Sequence, residues 1–150
     1  MSPVFFQYPV APAPFHEAEF IYHINNMFRM KKELDGLAKR VMWMVPGGKQ
    51  TRYFPSSYYL SAFTLSHILD RHYHKVPRHP EKSKFTIPIP EIVKYIRMAF
   101  PQPTGPLIGH CRERILPTGL TIGWNEEQEP CQSIKVVSDL YGNIRTAYPI

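Results

Sequence analysis

Sixteen prolines in 150 residues, about twice the usual share, constrain this chain more than any other residue type. Proline fixes φ and lacks a backbone N–H, so it ends helices and is kept out of central strands. The prolines fall mostly in clusters: Pro3, Pro9, Pro12 and Pro14; Pro77 and Pro80; Pro88 and Pro90; Pro101, Pro103 and Pro106. Clustered in this way they mark loops and segment edges rather than general disorder, and what lies between them is short.

Residues 1–15 read as a Pro-rich, extended lead-in. From Glu17 to about Met44, Phe20, Ile24, Met27, Phe28 and Lys31 recur at helical spacing, as do Leu34, Leu37, Ala38, Val41 and Met42. Gly36 is the point where that run would divide into two helices. Pro46-Gly47-Gly48 stops it, and Lys49 to Tyr59 forms a basic, aromatic connector. A further helix is predicted from Ser61 to about His74. Another opens at Pro90-Glu91, with Ile92, Tyr95, Ile96 and Ala99 on one face. Phe85-Thr86-Ile87 is a short strand signal cut by Pro88. In the last third, Leu107–Ile115, Leu120–Trp124, Ser133–Ser138 and Asn143–Tyr148 read as extended runs, the last two joined by a hairpin turn at Asp139-Leu140-Tyr141-Gly142. The expected class is α+β, with N-terminal helices packed on a mostly antiparallel C-terminal β-sheet. Residues 1–150 form a single domain on this reading, residues 1–59 being the lead-in and helical part and residues 60–150 the core.

With 43% apolar residues the chain can build that core, and no apolar run approaches the roughly 20 residues a membrane-spanning helix needs. Eighteen Lys and Arg against twelve Asp and Glu give a net charge of +6, which favours anionic partners such as nucleic acid, acidic proteins or phospholipid. Two cysteines, Cys111 and Cys131, are too few for a disulfide scaffold. They could pair once in an oxidising setting and are read here as two thiols. Met-Ser-Pro-Val-Phe-Phe has neither a basic start nor a long apolar stretch, so no signal peptide is expected.

Residues 65–74, Leu-Ser-His-Ile-Leu-Asp-Arg-His-Tyr-His, are the richest in chemistry. On a helix, Leu65, Ile68, Leu69 and His72 share a stripe at spacings of 3, 4 and 7, so His72 continues the apolar face. His67, Arg71 and His74 form a second stripe. A sheltered imidazole beside basic residues is a tunable proton-transfer group, although a hydrogen-bonded core histidine would give the same pattern. No HExxH motif occurs, and His110, Cys111 and Cys131 lack paired metal-ligand spacing, so neither a metal nor another cofactor is expected. In the terminal strand, Ile144, Thr146 and Tyr148 should share one face and Arg145 the other. Lys82, Ser83, Lys84 and Thr86, around the apolar Phe85, suit a phosphate-binding edge and equally an ordinary charged loop.

The order of these elements is what resembles a known group. A His-xxxx-Arg-His run, a basic Ser-Lys-Phe-Thr strand, a helix, several strands and a terminal Gly-Asn-Ile-Arg-Thr-Ala-Tyr-Pro look like the C-terminal ribonuclease toxin domains of bacterial polymorphic and contact-dependent growth inhibition systems. Those domains have barnase–EndoU–colicin–RelE-like or RNase A-like folds. The resemblance covers about Leu60 to Ile150, which would make residues 60–150 a nuclease core. It implies a catalytic role for His72, with His67 as counterpart, Arg71 steadying phosphate, and Thr146 and Tyr148 lining the active site. Ser83, Lys84, Thr86 and Arg145 would bind substrate. The family's Val-Gly after its histidine is Tyr73-His74 here, and its downstream Arg has only Arg78, Lys82 or Lys84 as counterparts.

That resemblance further implies metal-independent cleavage of RNA, with tRNA among the candidate targets, by attack of the 2′-hydroxyl to leave a 2′,3′-cyclic phosphate. It also implies export or delivery within a larger toxin, action in the cytoplasm of a competitor bacterium, and an acidic cognate immunity protein. Arg112, Arg114, Lys135 and Arg145 would add strand-borne charge, and Tyr53, Tyr58, Tyr59 and Trp124 could stack on unpaired bases or fill the core. A non-catalytic basic nucleic-acid-binding module and a protein-interaction domain are the competing readings. The first shares the charge and aromatics but needs no sheltered histidine.

Overall fold

The computed structural model describes residues 14–40 and 58–150, with the backbone alone for 34–40. The expectations for residues 1–13 and 41–57, including the Pro-Gly-Gly stop and the stacking role of Tyr53, lie outside the described residues. Helix α1 runs Glu17–Arg40 without a break at Gly36. One glycine costs a helix only about 1 kcal/mol relative to alanine, too little to end it unaided. Glu17 and Glu19 sit in the first turn, where the helix dipole favours negative charge.

Helix α1 packs on α2, Ala62–His72, through buried Ile24, whose carbonyl accepts a 2.8 Å hydrogen bond from the Ser66 hydroxyl. Ser61 caps α2, its hydroxyl accepting from the Thr64 amide at 3.1 Å. The helix ends at His72 rather than His74. Tyr73 turns to extended geometry (φ −104°, ψ 128°), is almost wholly buried, and bridges Phe85. The expected His67–Arg71–His74 stripe is therefore corrected: His74 leaves the helix, and its Nδ1 lies 2.9 Å from the Phe85 carbonyl.

The strand expected at 85–87 is β1, Lys84–Phe85; the chain then bends into α3, Ile89–Met98, with Pro90 in the first turn where its missing N–H does no harm. Strands β2 (Cys111–Pro117), β5 (Ser133–Asp139) and β6 (Ile144–Pro149) form an antiparallel sheet in the order β2-β5-β6. A smaller antiparallel sheet joins β1 to β3 (Gly123–Trp124) and β3 to β4 (Pro130–Cys131). The fold is α+β. The strand expected at 107–115 starts late, at Cys111, because residues 100–110 are almost all exposed and Gly109, at φ +63°, turns the chain between Ile108 and Cys111; the one expected at 120–124 is cut to Gly123–Trp124. The hairpin turn at 139–142 forms as expected: Gly142 takes φ +83°, and the Asp139 carboxylate accepts from the amides of Tyr141 and Asn143.

Ile68 and Leu69 of α2, Ile92 and Ile96 of α3, and Ile134 and Val136 of β5 meet in one core. Each such side chain contributes roughly 1.5–3 kcal/mol by leaving water. Gly123 lets the two small strands approach closely: a Cβ there would collide with the Lys84 carbonyl.

The edge strand β6 carries a bulge. Ser138 pairs with Ile144 and Val137 with Thr146, so Arg145 is an extra residue with no opposite number. Strict alternation fails at that point. Ile144 is buried with Ala147 and Pro149, whereas Thr146 and Tyr148 are half-buried on the opposite face. The expectation of Ile144, Thr146 and Tyr148 on a single face is overturned by this one inserted residue.

Candidate functional site

His72, the last residue of α2, is 7% exposed. Its Nδ1 lies 3.0 Å from the Ser83 carbonyl and 3.2 Å from the Ser83 hydroxyl. A carbonyl can only accept, so Nδ1 carries the proton in the neutral ring and Nε2 keeps the lone pair. Burial pushes the imidazole down to about 4; the Ser83 carbonyl opposes this, and the positive charges of Lys84, His67 and Arg71 reinforce it. The ring stacks on Tyr148, with centroids 5.4 Å apart and planes at 26°.

A cavity of about 580 Å³ opens beside this pair. Helix α2 supplies His67, Arg71 and His72 to its wall, the segment ahead of β1 supplies Lys82 and Ser83, and β6 supplies Thr146 and Tyr148. The β6 bulge explains the last contribution, because it turns those two hydroxyls out of the core. His67 is half-buried, and burial, then the charge of Arg71, lowers its pKa. Two imidazoles, two cations and three hydroxyls thus face one space.

Three residues expected to touch substrate lie elsewhere. Lys84 is buried, and its Nζ donates to the Arg71 carbonyl at 2.7 Å, closing the C-terminal end of α2 where a cation is favoured. Burial lowers its pKa. Thr86 lines a separate hollow with Glu17, Tyr73 and His74. Arg145 points away from the cavity, its Nε 3.4 Å from the Asp139 carboxylate. Among the three cations named for the phosphate, Arg78 pairs with buried Asp70 at 3.1 Å, and Lys82 is the one that lines the cavity.

The strand-borne cations divide too. Arg114 faces the α3 side, over the rings of Tyr58 and Phe100 and bonded to the Ser138 hydroxyl at 2.9 Å. Lys135 faces the cavity side, 5.6 Å from the Tyr148 ring and 3.6 Å from the Glu113 carboxylate. Tyr58 is taken up structurally: its hydroxyl donates to the Ile96 carbonyl, and burial pushes its pKa up to about 12.

Sequence reasoning missed the far wall of the cavity: Asn125, Glu126 and Glu127, with Pro149 and Ile150. The Asn125 side-chain oxygen accepts from the amides of Glu127 and Glu129, and Gln128 takes φ +65°, which fixes a tight acidic turn between β3 and β4. An Asn followed by three glutamates between Trp124 and Pro130 is readable as a turn. Its place opposite His72 depends on the pairing of β1, β3 and β4. Among the described residues, no group of three or more His, Cys, Asp or Glu side chains is arranged to hold a metal ion, and no helix is long and apolar enough to cross a membrane. Cys111 and Cys131 are free thiols.

Comparison with protein-family models, with curated proteins and with solved structures finds no significant match to this chain.

Proposed function

We propose that this protein is a metal-independent endoribonuclease toxin that cleaves RNA by 2′-hydroxyl attack. The observation that supports this best is the neutral His72 imidazole, its tautomer set by Ser83 and its face covered by Tyr148, at a cavity that also holds His67, Arg71 and Lys82. Nε2 of His72, carrying the lone pair, takes the 2′-hydroxyl proton. The 2′-oxygen attacks phosphorus and the 5′-oxygen leaves with a proton from His67, which takes one up from solvent when the anionic phosphate binds beside it. Arg71 and Lys82 offset charge on the phosphorane, and the Thr146 and Tyr148 hydroxyls donate to its oxygens. An anionic phosphate in the cavity raises both imidazole pKa values toward neutrality, bringing them into the range where proton transfer is efficient. The products are a 2′,3′-cyclic phosphate and a 5′-hydroxyl.

Export or delivery within a larger toxin, action in the cytoplasm of a competing bacterium on RNA such as tRNA, and capping by an acidic immunity protein belong to the same reading. The net charge of +6 suits both the substrate and such an inhibitor. The test is incubation of labelled RNA with the purified chain in EDTA, followed by end-group analysis. Cleavage to cyclic-phosphate ends, lost in His72→Ala with the circular dichroism unchanged, is expected. Equal cleavage by His72→Ala removes this mechanism, and binding without cleavage makes the chain a nucleic-acid-binding module instead.

A further inference from the structure

Across His67 from the main cavity lies a second hollow of about 350 Å³. The imidazole of His67 is common to both walls. Two flat rings face the hollow: Phe28 of α1, 6.2 Å from the His67 ring, and Phe63 of α2, which is 41% exposed. Lys31 and Arg145 bring positive charge to it, Lys32 lies 4.6 Å over the Phe28 ring, and among the described residues no carboxylate lines it. The Asp139 carboxylate lies 3.4 Å from Arg145 Nε, and the arginine side chain stays 64% exposed. The Asn143 side-chain amide completes the wall, with no hydrogen-bond partner among the described residues.

The β6 bulge ties the two sites together. As the extra residue, Arg145 is pushed to the side of the second hollow, while Thr146 and Tyr148 go to the first. An exposed aromatic face beside cations, as Phe63 offers, is what a nucleotide of a single strand requires, a ring for its base and a cation for its phosphate. A free phosphate would use the cations and leave Phe63 in water.

We infer that this second hollow is a nucleotide subsite, holding the base and phosphate of a residue of single-stranded RNA next to the one whose phosphate enters the main cavity. It gives α1 a part in substrate capture. The inference rests on the ribonuclease reading for the occupant of the main cavity, but binding tests it without any cleavage.

The experiment is fluorescence anisotropy with the full chain and 2′-O-methylated oligonucleotides of two, four and six residues, which cannot undergo 2′-attack. For the unaltered protein, affinity should rise as the strand becomes long enough to reach the second hollow. Phe63→Ala and Arg145→Ala should each abolish about a tenfold part of that gain while leaving dinucleotide binding unchanged. Phe63→Trp should keep the gain, with its indole fluorescence quenched by the six-residue strand and not by the dinucleotide. An unchanged length dependence in Phe63→Ala, an equal loss for all three lengths, or no oligonucleotide binding by the unaltered protein overturns the subsite. Failure to cleave unmodified RNA, with the length dependence intact, overturns the ribonuclease reading alone.

Discussion

His72 and Tyr148 lie ring on ring, 5.4 Å between centroids, one at the end of α2 and the other near the end of β6. The stack holds the imidazole plane, and the phenol hydroxyl lines the same cavity. The two contributions separate by substitution. Tyr148→Phe keeps the stack and should lower kcat on RNA by about 10²-fold, the usual effect of removing one preorganised donor. Tyr148→Ala should lower it further. Equal rates for Tyr148→Phe and the unaltered protein would assign the phenol to packing.

The depressed His72 pKa also predicts a pH dependence of stability. In the fold the group protonates near pH 4, whereas in the unfolded chain it does so near 6.5. Between those values the unfolded chain binds more protons, so stability is full above pH 6.5 and falls as the pH drops toward 4. The largest effect of this one group is about 3 kcal/mol, and His72→Gln should flatten that part of the profile. Urea unfolding midpoints at pH 7, 5.5 and 4.5 measure it.

Lys84 should behave as a structural lysine. Lys84→Met removes the bond to the Arg71 carbonyl and is expected to cost about 1–2 kcal/mol in thermal or urea unfolding, with KM for RNA little changed. It also removes a positive charge that holds the His72 imidazole down, so the His72 titration followed by NMR should move upward. A large rise in KM without loss of stability would return Lys84 to the substrate.

Gly123→Ala places a methyl group against the Lys84 carbonyl, a backbone atom that cannot swing aside. The expected cost is about 1–3 kcal/mol, with RNA cleavage falling as the acidic turn between β3 and β4 shifts. Native-like stability and activity in this variant would mean that β1 and β3 can separate without consequence.

Much of this was legible in the residues alone. The stripe of Leu65, Ile68, Leu69 and His72 follows from helical spacing, and the structure buries Ile68, Leu69 and His72 and half-buries Leu65. The turn at 139–142 follows from its Asp and Gly. What the residues hid are relationships set by tertiary contact. Nothing in Asn-Ile-Arg-Thr marks Arg145 as the residue without a partner, since a bulge is decided by the neighbouring strand. Lys84 looks like any surface cation until the end of α2 is folded over it. Arg114, one of four strand cations expected at the surface, lies over Tyr58 and Phe100 because those rings, distant in sequence, meet on the same side of the sheet.

The unpartnered Arg145 has one more consequence. Remove that single position while every other letter stays in order, and the ladder becomes regular: Ile144 stays opposite Ser138, Thr146 opposite Val137 and Tyr148 opposite Lys135, so both hydroxyls still face the imidazole. A gap of one codon would spare the main cavity and strip the second hollow of its arginine.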